Sequence, residues 1–143
     1  MKTITAKQMQ WSDRKWFLVD ANGQTLWKLA TKIATILRWK NKVDFVSHLD
    51  NWDYVVVINC DKFNVTWNKM EDKIYYKHSW FLGWLKETPL NDLLVKKPMK
   101  PLELAIFWMM PKNKLKKSML SRLKLFTWAE HIYWAQKPEI IKL

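Results

Sequence analysis

Leu26, Leu29, Ala30, Ile33, Ala34 and Leu37 fall at the spacing i, i+3, i+4, i+7, i+8, i+11. An α-helix gathers that set onto one stripe, so the spacing predicts an amphipathic helix over 26–37 packed on a core. Lys28, Lys32 and Arg38 lie off the stripe, with Trp27 beside them. Before the helix, "WFLVD" (16–20) reads as a short buried strand, followed by the turn "ANGQ" with Gly23. After it, "YVVVIN" (54–59) is a continuous β-branched run, the pattern of a central strand covered on both faces. Strand, helix, buried strand make a βαβ unit and predict an α/β domain.

The remaining chain adds elements of both kinds. "KIYYK" (73–77) is a further strand candidate, sending Tyr75 and Tyr76 to opposite sides. "TPLNDLLVKK" carries a helix start, with Thr88 as N-cap and Pro89 at the first helical position. "PMKPLELAIFWMM" reads as a helix closed by Pro111, and "NKLKKSMLSRLKLF" as another passing into a short strand. No repeat or low-complexity linker interrupts the pattern, which predicts one domain over residues 1–143.

Several function classes drop out early. Cys60 is the sole cysteine, which excludes an intramolecular disulfide and a cysteine-rich zinc site. His48, His78 and His131 are far apart and lack ligand spacing. Cys60, after a buried strand, reads as a small core residue. Asp50 and Asp53 bracket a turn and read as turn caps. No catalytic constellation, cofactor site or metal site emerges. The start "MKTITAKQMQ" lacks the apolar core of a signal peptide, and the apolar run Leu104–Met110 is too short to span a bilayer. These features predict a soluble intracellular protein with no membrane partner.

The charge points to a partner. The formal net charge is +12, from 25 Lys+Arg against 13 Asp+Glu. Between Lys96 and Lys124 nine basic residues face one acid, Glu103. A one-sided run of this kind is a footprint for phosphates. The RNA-contact candidates form three groups, with Lys28 beside them. "RWKNK" offers Arg38, Lys40 and Lys42. "WNKMEDKIYYKHSWFLGWLK" offers Asn68, Lys69, Lys73, Lys77, His78 and Lys86, interleaved with Tyr75, Tyr76 and Phe81. "MMPKNKLKKSMLSRLK" offers Lys112, Lys114, Lys116, Lys117, Arg122 and Lys124. Cations beside planar rings suit folded RNA, the cations meeting phosphates and the rings meeting exposed bases. A phosphate-loop enzyme is the rival reading of "HSWFLGWLK", which lacks the Gly-Lys-Ser/Thr ending of that motif. A free-standing basic RNA-binding module is a third.

One compositional feature is anomalous. The chain has 11 Trp and 2 Gly, against an average glycine usage of about 7%. "NVTWNK" (64–69) even puts a tryptophan into what reads as a tight turn.

"WFLVDANGQTLWKLATKIATILRWKNK", "HLDNWDYVVVINCDKFNVTWNKMEDKIYYKHSWFLGWLK", "LAIFWMMPKNKLKKSMLSRLKLFTWAEH" and "AQKPE" closely resemble the bacterial large-subunit ribosomal protein of the L-thirteen family. The likeness covers nearly the whole chain in order. It implies a three-layer α/β/α fold with a mainly parallel four-stranded sheet. It also implies a structural role on the ribosome in the cytoplasm: binding large-subunit rRNA beside neighbouring ribosomal proteins and assisting subunit assembly. It implies no catalysis, no cofactor and no small-molecule substrate. Trp27, Trp39, Trp52, Trp67, Trp80, Trp84, Trp108 and Trp128 stand where the family pattern has glycine. Trp16 sits where the family commonly has tryptophan, while Trp11 and Trp134 have no assignment. Lys116 replaces another family glycine as an ordinary substitution. Glycine at the eight positions would bring the count to ten of 143, near the average of about 7%. The expectation is that UGA codons, read as glycine in some bacteria, stand here as tryptophan. If all eight were left-handed, the strain would reach at most about 8–16 kcal/mol, against a typical domain stability of about 5–15 kcal/mol.

Overall fold

The computed structural model describes residues 14–43, 45–46, 48–49 and 51–141. Trp11 and Asp50, both named above, lie outside the described residues. In chain order the elements are β1 (Trp16–Asp20), α1 (Leu26–Leu37), β2 (Tyr54–Ile58), the single turn α2 (Lys69–Asp72), β3 (Ile74–His78), β4 (Leu85–Pro89), α3 (Leu90–Lys96), α4 (Lys100–Met109), α5 (Lys116–Ser121), β5 (Leu123–Leu125) and β6 (Glu139–Ile140). Four parallel strands in the order β5-β2-β1-β6 form the main sheet, and helices flank it. This is the α/β architecture the βαβ pattern predicts.

The register explains the core. Phe17 pairs with Val55 and Val19 with Val57, so all four point to one face, and all four join the buried cluster. The six stripe residues of α1 are buried against that face, with Ile36 added. α1 packs along α4, whose Leu102, Ala105 and Ile106 are buried. Each such side chain contributes about 1.5–3 kcal/mol by leaving water. Val56 points to the opposite face and is also fully buried, as the unbroken "YVVVIN" run requires. On that face Trp16 stacks on Tyr54 at 4.2 Å between ring centroids, and Tyr133 lies 5.0 Å from Trp16.

β3 and β4 pair antiparallel in a separate two-stranded sheet. The strand at 73–77 was legible, but its partner was not. Thr88 is also not the helix cap: it lies in β4 opposite Tyr75, and Pro89 takes the N-cap position one residue later. Pro89 ends the strand where a missing N–H does no harm.

The tryptophans divide by backbone conformation. Trp39, Trp67 and Trp80 have positive φ, at 62°, 65° and 69°. The other five family-glycine positions do not, so the strain reduces to about 3–6 kcal/mol. Trp39 is the clearest case. Its N–H donates to Ile36 O (2.8 Å) and the Lys40 N–H to Thr35 O (3.1 Å), a Schellman motif closing α1 with Trp39 at the left-handed position. Glycine ordinarily fills that place because it has no Cβ. Trp67 and Trp80 sit in turns, 91% and 95% exposed. Trp39 and Trp52 are buried at 1% each, so both indoles lie inside the protein. Among the described residues the Trp39 Nε1–H has no hydrogen-bond partner.

Asp53 corrects another expectation. It is fully buried, accepts the Lys15 N–H at 3.0 Å and lies 2.6 Å from Lys42 Nζ. It ties the entries of β1 and β2 together instead of capping an exposed turn. Asp53→Ala is expected to destabilise the protein by about 2–4 kcal/mol, read by urea unfolding, since it strands the Lys15 amide and unpairs Lys42.

Cys60 is buried as expected, with its Sγ 3.5 Å from Val57 O. Burial pushes its thiol up to about 12 from the ordinary 9.0, helped by Asp61 and opposed by a backbone hydrogen bond at Phe126. The folded value lies above the unfolded one. Its contribution is therefore fully present below pH 9 and is lost as the pH rises towards 12. Stability is expected to fall by up to about 1.4 kcal/mol per pH unit in that window, and Cys60→Ala to remove that part of the slope. An identical slope in Cys60→Ala would contradict the assignment.

Candidate nucleic-acid interface

The parallel strands begin at a common edge, and the segments leading into them meet there. Lys15 precedes β1, Asp53 precedes β2 and Arg122 precedes β5. The Lys42–Asp53 contact brings the segment after α1 to this edge, and α5 leads directly into β5. Arg38, Lys40, Lys42, Lys116 and Lys117 therefore share one end of the sheet. Lys112 and Lys114 are exposed on the approach to α5. Lys40 and Lys117 are exposed, while Arg38 and Lys116 are half-buried. Lys116 Nζ sits 3.3 Å from the centroid of the Phe107 ring, so part of its role is in packing.

Two residues of this group are not open cations. Arg122 is only 5% exposed; its Nη1 donates to Ser118 O (3.2 Å) and its guanidinium lies over Trp52 and Tyr54 at 5.3 and 5.9 Å. It braces α5 from inside, which corrects its expected place on the RNA surface. Lys42 pairs with Asp53. Lys124, half-buried within β5, is in register with Val56 and shares its face of the sheet.

The second group lies at the opposite end. The Leu26 N–H donates to Asn64 O (2.9 Å), which anchors the segment leading to β3 beside the start of α1. Lys28 is exposed on this first turn, and Lys69 Nζ lies 6.0 Å from the Trp27 ring centroid. Asn68, Lys73, Lys77, His78 and Lys86 are exposed. Lys77 stands directly opposite Lys86 across the hairpin. Facing like charges repel, and a bound anion relieves the repulsion. His78 Nδ1 accepts the Trp80 N–H at 2.9 Å, so in the neutral ring Nε2 carries the proton and points away as a donor. Tyr75 is half-buried and Tyr76 exposed, the alternation the strand predicts. Burial raises the Tyr75 pKa, which keeps its hydroxyl a donor. The hairpin tip exposes Trp80, Phe81, Leu82 and Trp84, and Gly83 (φ 76°) supplies its left-handed turn residue.

Among the described residues the ion pairs are Lys15–Glu139, Lys42–Asp53 and Lys100–Glu103. The hairpin lysines and Lys112, Lys114 and Lys117 thus carry no carboxylate partner among those residues, and they repel one another unless a polyanion is near. "HSWFLGWLK" joins two antiparallel strands, whereas a phosphate loop joins a strand to a helix. No helix among the described residues is long and apolar enough to cross a membrane.

The structure is thus an α/β protein with a parallel sheet, exposed lysines at both ends of it and exposed rings at the hairpin tip. The chain belongs to the ribosomal protein L13 family, whose model matches residues 14–132. Its relatives include proteins that bear the name large ribosomal subunit protein uL13. That of Brevibacillus brevis is 48% identical over 138 residues, covering 96% of this chain and 94% of the relative. That of Lawsonia intracellularis is 49% identical over 138 residues, covering 96% and 95%. The Pseudomonas putida protein is 46% identical over 143 residues and covers all of both chains.

Proposed function

We propose that this protein is a structural constituent of the large ribosomal subunit in the cytoplasm, where it binds large-subunit rRNA and neighbouring ribosomal proteins and helps order the RNA during assembly. The near-full-length likeness to uL13 proteins carries the reading. Lysines at the two ends of the sheet neutralise backbone phosphates, and RNA shape supplies the specificity. The contacts assigned to RNA are Lys28, Arg38, Lys40, Asn68, Lys69, Lys73, Lys77, His78, Lys86, Lys112, Lys114, Lys116, Lys117 and Lys124, with Lys42 secondary because of Asp53. The protein performs no catalysis in this reading and acts as one domain. Co-sedimentation with large subunits after a high-salt wash tests it. Equal affinity for large-subunit rRNA and unrelated RNA at the same salt would favour a module outside the ribosome; saturable nucleotide turnover would favour an enzyme.

We further propose that the natural chain carries glycine at the eight family-glycine positions. The left-handed backbone at Trp39, Trp67 and Trp80 supports this, as does the Schellman position of Trp39. The coding sequence, or an intact mass from the source, decides it. Eight in-frame UGG codons would end the idea.

A further inference from the structure

We infer that the cleft between the β3–β4 hairpin and helices α1 and α4 takes one unstacked nucleotide of an RNA strand, its base against Tyr75 and its phosphates on Lys73, Lys77 and Lys97. The inference rests on the rRNA binding proposed above and adds a place where a base, not only a phosphate, is held.

The cleft has a volume of about 780 Å³, within the usual range of about 300–1,000 Å³ for small-ligand sites. Its walls are planar and apolar, formed by Trp27, Tyr75 and Trp108, and its rim is cationic. Among the described residues Lys73, Lys77 and Lys97 have no carboxylate partner, whereas Lys100 on the same rim is paired with Glu103 at 2.9 Å. Lys73 Nζ lies over the Tyr75 ring, 5.7 Å from its centroid, so a base entering on that face displaces the flexible ammonium towards its phosphate. Apolar planes within and cations at the mouth complement a nucleotide's two halves. A base within a duplex is stacked and paired, with only its edges in the grooves, so a strand offers this cleft a base where it is unpaired. With glycine at positions 27 and 108, as proposed above for the natural chain, Tyr75 alone supplies the plane and the lysines still supply the cations. A free mononucleotide shares the chemistry, and the experiment separates the two.

The test uses the full chain with three probes: a hexauridylate carrying 5-iodouridine, a short RNA duplex and uridine monophosphate. Photo-crosslinks of the single strand are expected at Tyr75, Trp27 or Trp108. Tyr75→Leu is expected to weaken the single strand about 5- to 150-fold, the equivalent of losing one base–aromatic stack, while duplex affinity stays unchanged. Tyr75→Phe retains binding. Because Tyr75 is half-buried, Lys97→Glu on the exposed rim provides a second reading that leaves the core intact: it weakens the single strand more than the duplex. Crosslinks confined to the hairpin tip or to residues 112–117, with rRNA binding intact, would overturn the cleft and leave the ribosomal role standing. Loss of all rRNA binding by the unaltered chain would overturn both. Tight uridine monophosphate binding that displaces the hexamer would overturn the RNA strand as occupant.

Discussion

Reversing Lys114, Lys116 and Lys117 together to Glu is expected to weaken large-subunit rRNA binding about 10²–10³-fold near 0.1 M salt, and to flatten the log–log salt dependence by about 2–3. Each lost phosphate contact removes roughly one released counterion, and counterion release at this salt is worth close to a decade in affinity per contact. The structure ranks the three residues. Lys114 and Lys117 are exposed without a carboxylate partner among the described residues, and they carry most of the effect. Lys116 lies over the Phe107 ring, so its reversal also costs some packing. Far-ultraviolet circular dichroism should remain unchanged, because neither open lysine touches the core. Unchanged affinity in the triple variant would remove this end of the sheet from the interface.

The second large effect concerns the tryptophans, and its sign depends on burial. Trp52→Gly is expected to destabilise this chain by about 3–5 kcal/mol, since a fully buried indole leaves a cavity. Trp39→Gly loses a similar burial but relieves backbone strain, for a net cost of about 1–4 kcal/mol. Trp67→Gly and Trp80→Gly go the other way. Both side chains are almost wholly in water, so relief of the left-handed strain outweighs the entropy of glycine, and each gains about 0.5–1 kcal/mol. Urea midpoints of the four single variants test the pattern. A loss of stability at Trp67 or Trp80 would show that the turn conformations do not strain these residues.

Much of the frame was readable without coordinates, and each part had a local cause. The α1 stripe and the "YVVVIN" run announce themselves because periodicity is a direct image of burial. β4 was hidden: "LKETP" is short, polar on one side and ends in the Thr-Pro pair that also signals a helix start. Tertiary pairing with β3 decided between them by one residue. The site was legible by composition and not by placement. Lysines scattered from Lys28 to Lys124 read as three groups, whereas the parallel sheet sorts them to two ends. Nothing in sequence separates a charge on the surface from one buried as Arg122 is beside Trp52 or as Asp53 is against Lys42. Lys97 was counted only as part of a basic run, and its place on the cleft appears only once the hairpin folds back over α1 and α4.

Equilibrium binding of the purified chain to large-subunit rRNA across a salt series asks whether unpaired lysines on an α/β body hold structured ribosomal RNA. The twelve lysines and arginines assigned to RNA, each meeting one phosphate, predict a log–log slope of about −8 to −11. A flat salt dependence, or indifference to that RNA at low ionic strength, would contradict it.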